Sequence, residues 1–369
     1  MIHPDCRSIE WMRKVAGDNN FPDIILVEKA IRAFSLLESL VLSGCPFVFK
    51  GGTALMLHLD SMKRLSIDID IVCPPGTNIE EFVHKHAQAY GFAEVKLVDR
   101  VSSSNVPKTH AKFFYQAAYV THSEVGSILL DVLFEDIQYH EIVQLPIQCS
   151  VLKLDGNPVK VNVPGRQDLL ADKLTAFAPN TTGIPYFKGG KDCSMEIMKQ
   201  LFDVASLFDV TYDLTTVSKT FKKCAAIELQ YRDLDSGNIA QVLEDIYRTS
   251  LCICLRGLID ADNYNQLLNG SKRIQSFIHG EKYTVDSAII HASKAAYLSV
   301  LIAAEIKEVN HFDPTFIEPL RSALIQEPCL IKLNKLKKAN IEAFFYWNEI
   351  SKCITNPPGS IGTSHSCVG

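Results

Sequence analysis

The sequence predicts an α+β protein in which a mixed front part of strands and helices precedes a helical back part. The front part holds several short runs of β-branched and aromatic residues, which are typical of strands. From Arg166 onward, apolar residues recur at helical spacing almost to the end. The length of 369 residues corresponds to about two domains at roughly 150 residues each.

Composition excludes several classes of protein. With 47% hydrophobic and 21% charged residues, the chain reads as globular rather than disordered or collagen-like. A formal net charge of -5 disfavours a nucleic-acid binder that is basic throughout, but it leaves room for a local basic patch. The sequence contains no apolar run of about 18 residues, so we expect no membrane span. The N-terminal residues lack the apolar stretch of a signal peptide. The 11 scattered cysteines predict free thiols and a cytoplasmic location.

Periodicity and breakers predict the order of elements. The predicted strands are 46–50, 64–72, 110–120 and 127–134, with a strand pair on either side of Asp155-Gly156. The predicted helices are 24–43, one that begins after Gly51-Gly52, 78–90, 166–178, 194–209, 237–258, 284–305, 313–325 and 339–352. We expect a front domain over 1–210, a helical domain over 211–355 and a small polar tail over 356–369.

The segment KGGTALMLHL predicts an anion site. Here a strand delivers Gly51 and Gly52 to the first turn of a helix. Glycine permits a close backbone approach and a positive φ, and the helix start offers unpaired N–H groups. Such a turn suits a triphosphate, and Thr53 could add a hydroxyl donor. Taken alone, the same residues would also fit a tight strand-to-helix turn with a capping threonine.

The segment RLSIDIDIV predicts a strand with two carboxylates on one face. Asp68 and Asp70 lie about 7 Å apart along such a strand, and Ser66 shares their side. Two convergent carboxylates could hold one or two divalent metal ions, whereas without cations they would repel each other. The alternative is the solvated face of an edge strand. An EF-hand is excluded because Val72 and Cys73 stand where a further ligand and a glycine are required.

The combined pattern G-G-T-x10-R-x-S-x-D-x-D resembles the nucleotidyltransferase signature of the polymerase-β superfamily. KGGTAL followed by RLSIDID is most similar to the AbiEii/AbiGii-type toxin nucleotidyltransferases of toxin–antitoxin systems. Two later segments extend the resemblance. DLLADKLTAF matches a family helix and places Lys173, and KQLFDVASLF matches the next helix and places Asp203. Gln200 departs from the family pattern, where an acid is usual.

The resemblance implies a polymerase-β-like domain with a small mixed sheet, followed by a helical domain. It implies an NTP substrate, Mg²⁺ (or Mn²⁺), a tRNA 3′ end as acceptor and a cognate antitoxin as partner. The implied metal ligands are Asp68, Asp70 and Asp131. The implied NTP-binding residues are Gly51, Gly52, Thr53, Arg64, Ser66 and Lys173, and Asp203 would hold Lys173 or a substrate group in place.

Each of these assignments has a structural alternative. Asp131, in the apolar run SILLDVLF, could be a third metal carboxylate and base, or else the exposed or salt-bridged end of a strand. Lys173 could be a lysine at the edge of an amphipathic face, and Asp203 could form an i,i+4 pair with Lys199. Arg64 could be a surface charge.

Two other functions remain open from sequence. One is a nucleotidyltransferase that acts on a small molecule or a protein hydroxyl, which the acidic balance favours because RNA binding requires positive charge. The other is a nucleotide-binding interaction protein without catalysis, which the presence of both Asp68 and Asp70 disfavours. The preferred nucleotide, the oligomeric state and the antitoxin surface are not predicted.

Overall fold

The structure of the chain, a computed structural model, describes residues 1–59, 63–98, 107–119, 124–280 and 282–355. The chain forms two compact units. The first comprises Met1–Leu169 and Gln275–Lys282, and the second comprises Leu170–Ile274 and the chain from Tyr283 onward. The domain boundary predicted near residue 211 remains a prediction, and the predicted tail at 356–369 lies outside the described residues.

A five-stranded mixed sheet forms the centre of the first unit, in the order β1-β2-β5-β4-β3. The pair β2·β5 is parallel, and the other three pairs are antiparallel. The predicted α+β class with a small mixed sheet is therefore confirmed. The strands are β1 (Val48–Lys50), β2 (Ile69–Cys73), β3 (Glu94–Val98), β4 (Lys108–Gln116) and β5 (Val125–Phe134).

Alternation along the strands gives the sheet one buried face. In β4, Ala111, Phe113 and Tyr115 are buried, while the residues between them are more exposed. The helix α2 (Ile24–Leu42) contacts β2 and β5 and is almost wholly buried. Asp23 caps this helix, since its side chain accepts a hydrogen bond from the Ile25 N–H at 2.8 Å. The remaining elements of this unit are α1 (Ile9–Asp18), α3 (Gly51–His58), α4 (Glu80–Val83), β6 (Ile142–Pro146), β7 (Lys160–Pro164) and the start of α5 (Arg166–Ala176).

Over its described residues, the second unit is helical apart from one two-stranded hairpin. Its core helix, α10 (Val285–Ala303), packs against α6 (Ser194–Phe208), α8 (Ile239–Cys254) and α13 (Ile341–Thr355). By length and composition α10 could cross a membrane, but 67% of its most apolar window is buried, as in a core helix of a globular unit. The elements are β8 (Phe187–Lys188), β9 (Lys191–Asp192), α6 (Ser194–Phe208), α7 (Thr215–Gln230), α8 (Ile239–Cys254), α9 (Ala261–Arg273), α10 (Val285–Ala303), α11 (Ile317–Ser322), α12 (Leu336–Ala339) and α13 (Ile341–Thr355).

Several predicted elements differ from the structure. The strand predicted over 64–72 begins only at Ile69, because β1 ends at Lys50, opposite Asp70, and offers no partner to the residues before Ile69. The helix predicted over 78–90 is regular only over Glu80–Val83. The predicted strand pair around Asp155-Gly156 is wrong, because β7 pairs with β6 instead. The sequence patterns also missed α1, β3, α7 and α9.

Candidate functional site

The glycine pair stands where β1 turns into α3. Gly51 has φ +82°, in the left-handed region that favours glycine. A Cβ built on Gly51 would lie 2.2 Å from Oδ2 of Asp70, so this side-chain position is already filled by a carboxylate. The turn thus brings the Asp70 carboxylate against the first residue of α3.

Two further predicted residues, Arg64 and Ser66, lie against Gly52 in the same helix. A Cβ at Gly52 would lie 2.6 Å from Nη2 of Arg64 and 2.9 Å from Oγ of Ser66. The guanidinium and the hydroxyl therefore pack directly on the backbone at the helix start, and any side chain there would displace them. The prediction that these three residues share one place is consistent with this geometry.

Arg64 is held by a segment distant in sequence. The residue is 5% exposed, so it is not an ordinary surface charge. Its Nη1 donates to the carbonyl of Leu65 at 3.0 Å, and its backbone bridges to Ile278. The Leu65 N–H donates to the carbonyl of Phe277 at 2.7 Å. The return of Gln275–Lys282 to the first unit thus places Arg64.

Thr53 ties the helix to the second predicted motif. It is fully buried, and its hydroxyl donates to the backbone carbonyl of Asp68 at 2.6 Å. Asp68 itself precedes β2 and is exposed, rather than lying on a strand face as predicted. Thr53 therefore positions the loop that carries Asp68, whereas the sequence suggested a donor to phosphate.

The far end of α3 is held by two side-chain hydrogen bonds. Burial lowers the pKa of His58, whose Nε2 donates to the carbonyl of Pro164 at 2.8 Å. Arg166 donates to the His58 carbonyl at 2.7 Å, which satisfies a backbone acceptor at the helix end. Both ends of this short helix are therefore fixed by contacts within the first unit.

Four charged or polar residues form one row across the sheet. Lys50 of β1 is opposite Asp70 of β2, Asp70 is opposite Asp131 of β5, and Asp131 is opposite His110 of β4. Neighbouring strands are about 4.8 Å apart, so the two carboxylates stand side by side on one face. This placement fits the first alternative for Asp131, a carboxylate from a neighbouring strand, and the contact of Asp131 with His110 fits the second, a salt-bridged carboxylate. The role of Asp131 therefore remains a prediction.

His110 is a residue of this row that the sequence analysis did not select. Its Nδ1 is hydrogen-bonded to Oδ1 of Asp131, and its side chain is 14% exposed. The alternation of β4 puts Lys108, His110 and Lys112 on the face opposite the buried aromatic residues. That alternation is visible in the sequence, but the register that pairs His110 with Asp131 is not.

The donor chemistry fits a hard divalent cation that takes part of its coordination from substrate. Asp70 and Asp131 supply carboxylate oxygens, the ligands that Mg²⁺ and Mn²⁺ prefer. Among the residues that the structure describes, no three His, Cys, Asp or Glu side chains are grouped as a metal site. A Mg²⁺ ion is commonly held by one or two carboxylates together with substrate phosphates and water, which is what this pair offers.

Lys173 and Asp203 form a buried ion pair within the second unit. Nζ of Lys173 is 2.9 Å from Oδ2 of Asp203, and both side chains are at most 4% exposed. The same Nζ donates to Oε1 of Gln200 at 3.2 Å. The burial of Lys173 corrects one alternative, because this residue is not a lysine at a solvated edge. Asp203 pairs with Lys173 across helices, and its role remains a prediction. Gln200, the departure from the family pattern, supplies a neutral acceptor to the same ammonium.

Comparison with known proteins identifies relatives of the chain. A family model described as "Nucleotidyl transferase AbiEii toxin, Type IV TA system" matches residues 35–269, more than half of the chain. No match was found among curated proteins.

Two solved structures have detectable similarity. One, described as a nucleotidyltransferase from H. pylori, has 15% identity and a TM-score of 0.37, with 76% of this chain and 94% of that chain covered. The other, an antigenic nucleotidyltransferase-like protein from Paracoccidioides brasiliensis, has 14% identity and a TM-score of 0.33, with 58% and 93% covered. Both TM-scores are too low to support an inference.

Gly51→Ala is expected to destabilise the protein and to displace the Asp70 carboxylate. The control is Gly76→Ala, because Gly76 has the same φ of +82° but no atom within 4 Å of its added Cβ. Left-handed strain costs each variant about 1–2 kcal/mol, and only Gly51→Ala adds the clash. Thermal unfolding should therefore show a clearly larger loss for Gly51→Ala. Equal losses would mean that Asp70 moves aside freely.

Asp203→Leu should lower the free energy of unfolding by about 3–5 kcal/mol, because it leaves a buried ammonium without its counter-ion. Adding Lys173→Met should recover a large part of that loss, since the unpaired charge is removed. Glu244→Gln is the matched control, because it breaks the solvated pair with Arg248 at 2.6 Å and should change little. Urea unfolding gives the free energy of unfolding of the wild type and of these three variants. A double variant no more stable than Asp203→Leu would contradict the expectation.

Proposed function

Because the chain belongs to the AbiEii nucleotidyltransferase toxin family of type IV toxin–antitoxin systems, we propose that it transfers a nucleoside monophosphate from an NTP to an RNA 3′ end, with tRNA as the expected RNA. The observation that carries this proposal is the Asp70 carboxylate, which touches the glycine turn on one side and stands beside Asp131 on the other. A polyphosphate site and an acidic site thus share one side chain.

The start of α3 is the proposed triphosphate site. Its first N–H groups lack intrahelical partners, and the side chain of the N-cap residue Lys50 does not cap them. Gly51 and Gly52 let an anion approach these N–H groups, and Arg64 and Ser66 stand against Gly52 as donors. Thr53 contributes by tying the loop of Asp68 to this helix. Helix polarity and the Arg64 charge both favour a phosphate at this place.

Asp70 and Asp131, with Asp68 as a further ligand, would hold Mg²⁺ or Mn²⁺. The cation, when bound, supplies charge neutralisation for the phosphates and lowers the barrier to attack. Asp131 is the proposed base, and it takes the proton of the acceptor hydroxyl. The hydroxyl oxygen then forms a bond to the α-phosphorus, while the bond from that phosphorus to the β-phosphate oxygen breaks and pyrophosphate leaves.

Lys173 and Asp203 are retained as proposed functional residues on the strength of the resemblance. The family role for Lys173 is neutralisation of the triphosphate, and the Asp203 carboxylate fixes the ammonium that would do so. The catalytic domain is proposed to cover 1–210. The family implies an antitoxin as partner, and we propose a cytoplasmic enzyme that does not act at a membrane.

Label transfer tests the proposed reaction. Wild-type protein incubated with each α-labelled NTP, Mg²⁺ and total tRNA should label the RNA, and Asp70→Asn should reduce the rate by about 100-fold or more. Asp136→Asn is the matched control, because it removes an exposed carboxylate that follows β5. Near-equal unfolding temperatures would show that the fold is retained.

The alternatives predict other outcomes of the same incubation. Label that appears on protein or on a small molecule, with the RNA unlabelled, would replace RNA as the acceptor. No transfer with any NTP, or transfer that Asp70→Asn leaves intact, would contradict the proposed reaction. Chelation of divalent cations should stop labelling of any acceptor.

His110 is proposed as a positioning residue for Asp131. His110→Ala should lower kcat by about 10- to 100-fold, because the carboxylate loses the contact that orients it. His110→Asn should retain more activity, since its amide can still donate to Asp131, and KM for the NTP should hardly change. His84→Ala, at an exposed position after α4, is the control. A purely structural role would lower stability equally in both His110 variants and would show no rescue by Asn.

A further inference from the structure

The sheet face that carries Asp131 continues into a group of lysines. Cross-strand partners point to the same side, so the register extends the face from β5 through β4 to β3. Along β4, Lys108 and Lys112 flank His110 at two-residue spacing. Lys112 is opposite Lys96 of β3. We call Lys96, Lys108 and Lys112 the basic strip.

All three lysines of the basic strip are exposed, in contrast to the residues between them. Lys108 and Lys112 are exposed on β4, whereas Ala111 and Phe113 on its other face are fully buried. The Lys96 side chain is 57% exposed. The two faces of this part of the sheet therefore differ in environment. One packs against the core under α2, and the other exposes ammonium groups to solvent.

The pairing of Lys96 with Lys112 costs stability in the isolated protein. Like charges directly opposite on neighbouring strands repel each other. Lys96 is partly compensated, since its Nζ is 3.1 Å from Oε1 of Glu94 and 5.2 Å from the centre of the Phe114 ring. Phe114 lies on the same face and is partly exposed. A chain with a net charge of -5 thus concentrates cations and one aromatic ring beside its catalytic carboxylates.

The strand order separates this face into two sides. The glycine turn follows β1, the carboxylates lie on β2 and β5, and the basic strip lies on β4 and β3, in the order β1-β2-β5-β4-β3. The proposed triphosphate site is therefore on one side of the carboxylates and the basic strip on the other. A hydroxyl that attacks the α-phosphorus must approach from the side opposite the leaving pyrophosphate, because the attacking and leaving oxygens are roughly in line.

We propose that the basic strip binds the backbone phosphates of the single-stranded 3′ end of the RNA acceptor and leads its terminal hydroxyl to Asp131. This inference rests on the proposed function and names the surface that serves it. Lys112 is about 7 Å along β4 from His110, whose side chain contacts Asp131. A phosphate bound by Lys112 would therefore lie close to the carboxylate pair. Exposed cations with an adjacent aromatic ring are the elements from which single-strand binding surfaces are built.

RNA binding in the absence of nucleotide gives the first test. The probe is a fluorescent single-stranded RNA, titrated with Lys96→Gln/Lys112→Gln at several KCl concentrations and followed by anisotropy. Each lost phosphate contact should reduce the slope of log K against log salt by about 0.7, so the double variant should lose about 1.4. Lys96→Arg/Lys112→Arg should keep the wild-type slope, because the charges remain.

The matched control removes the same two charges elsewhere. Lys335→Gln/Lys338→Gln alters exposed lysines at α12 in the second unit and should leave the slope unchanged. In label transfer, the strip variant should raise KM for RNA by about tenfold, as two phosphate contacts are lost. Its kcat at saturating RNA and its KM for the NTP should stay close to wild type.

The outcomes separate this inference from the proposed function. If the wild type labels RNA but both Gln double variants keep the wild-type salt slope, the proposed role of the basic strip is overturned. Nucleotidyl transfer to RNA would then still stand. Equal slope losses in both would show general attraction and would also overturn it. Wild-type protein that labels no RNA, or that labels a protein through the same lysines, overturns the proposed acceptor and the basic strip together.

Discussion

The Asp70 carboxylate occupies the space that a side chain at residue 51 would require, and the rest of the site is arranged around this contact. It is possible only because Gly51 has a left-handed φ and no Cβ. The same carboxylate belongs to a strand that pairs with β1 on one side and with β5 on the other. One acidic side chain therefore links the start of α3 to the parallel strand pair.

A consequence of this contact is that the carboxylates and the Arg64 guanidinium, which have opposite charges, both lie beside the start of α3. Arg64 is buried against Gly52, and the carboxylates stand in the neighbouring row. Burial makes the Arg64 guanidinium costly unless its donors are satisfied, and the Leu65 carbonyl supplies one acceptor. A triphosphate with its cation complements both signs at once, which is the physical basis for the proposed substrate.

The second unit contributes a different kind of polar feature. Lys173 and Asp203 are removed from solvent as a pair, and Gln200 adds a neutral oxygen to the ammonium. A buried pair gains little net stability, but loss of one partner is expensive, so such a pair constrains the geometry of the helices that carry it. The amide of Gln200 accepts this hydrogen bond without adding a second negative charge beside Asp203.

The sequence by itself determined the local chemistry: the glycine pair at a strand-to-helix turn, two closely spaced carboxylates, and the residues Lys173 and Asp203 at helical positions. The glycine pair and the carboxylates follow from backbone freedom and from periodicity, which are local properties. Lys173 and Asp203 were selected by the resemblance to family helices. Only the tertiary structure decided that Asp68 precedes the strand, that His110 contacts Asp131, and that Gln275–Lys282 returns to hold Arg64. Strand order and register depend on contacts between segments far apart in the chain, so no local pattern contains them.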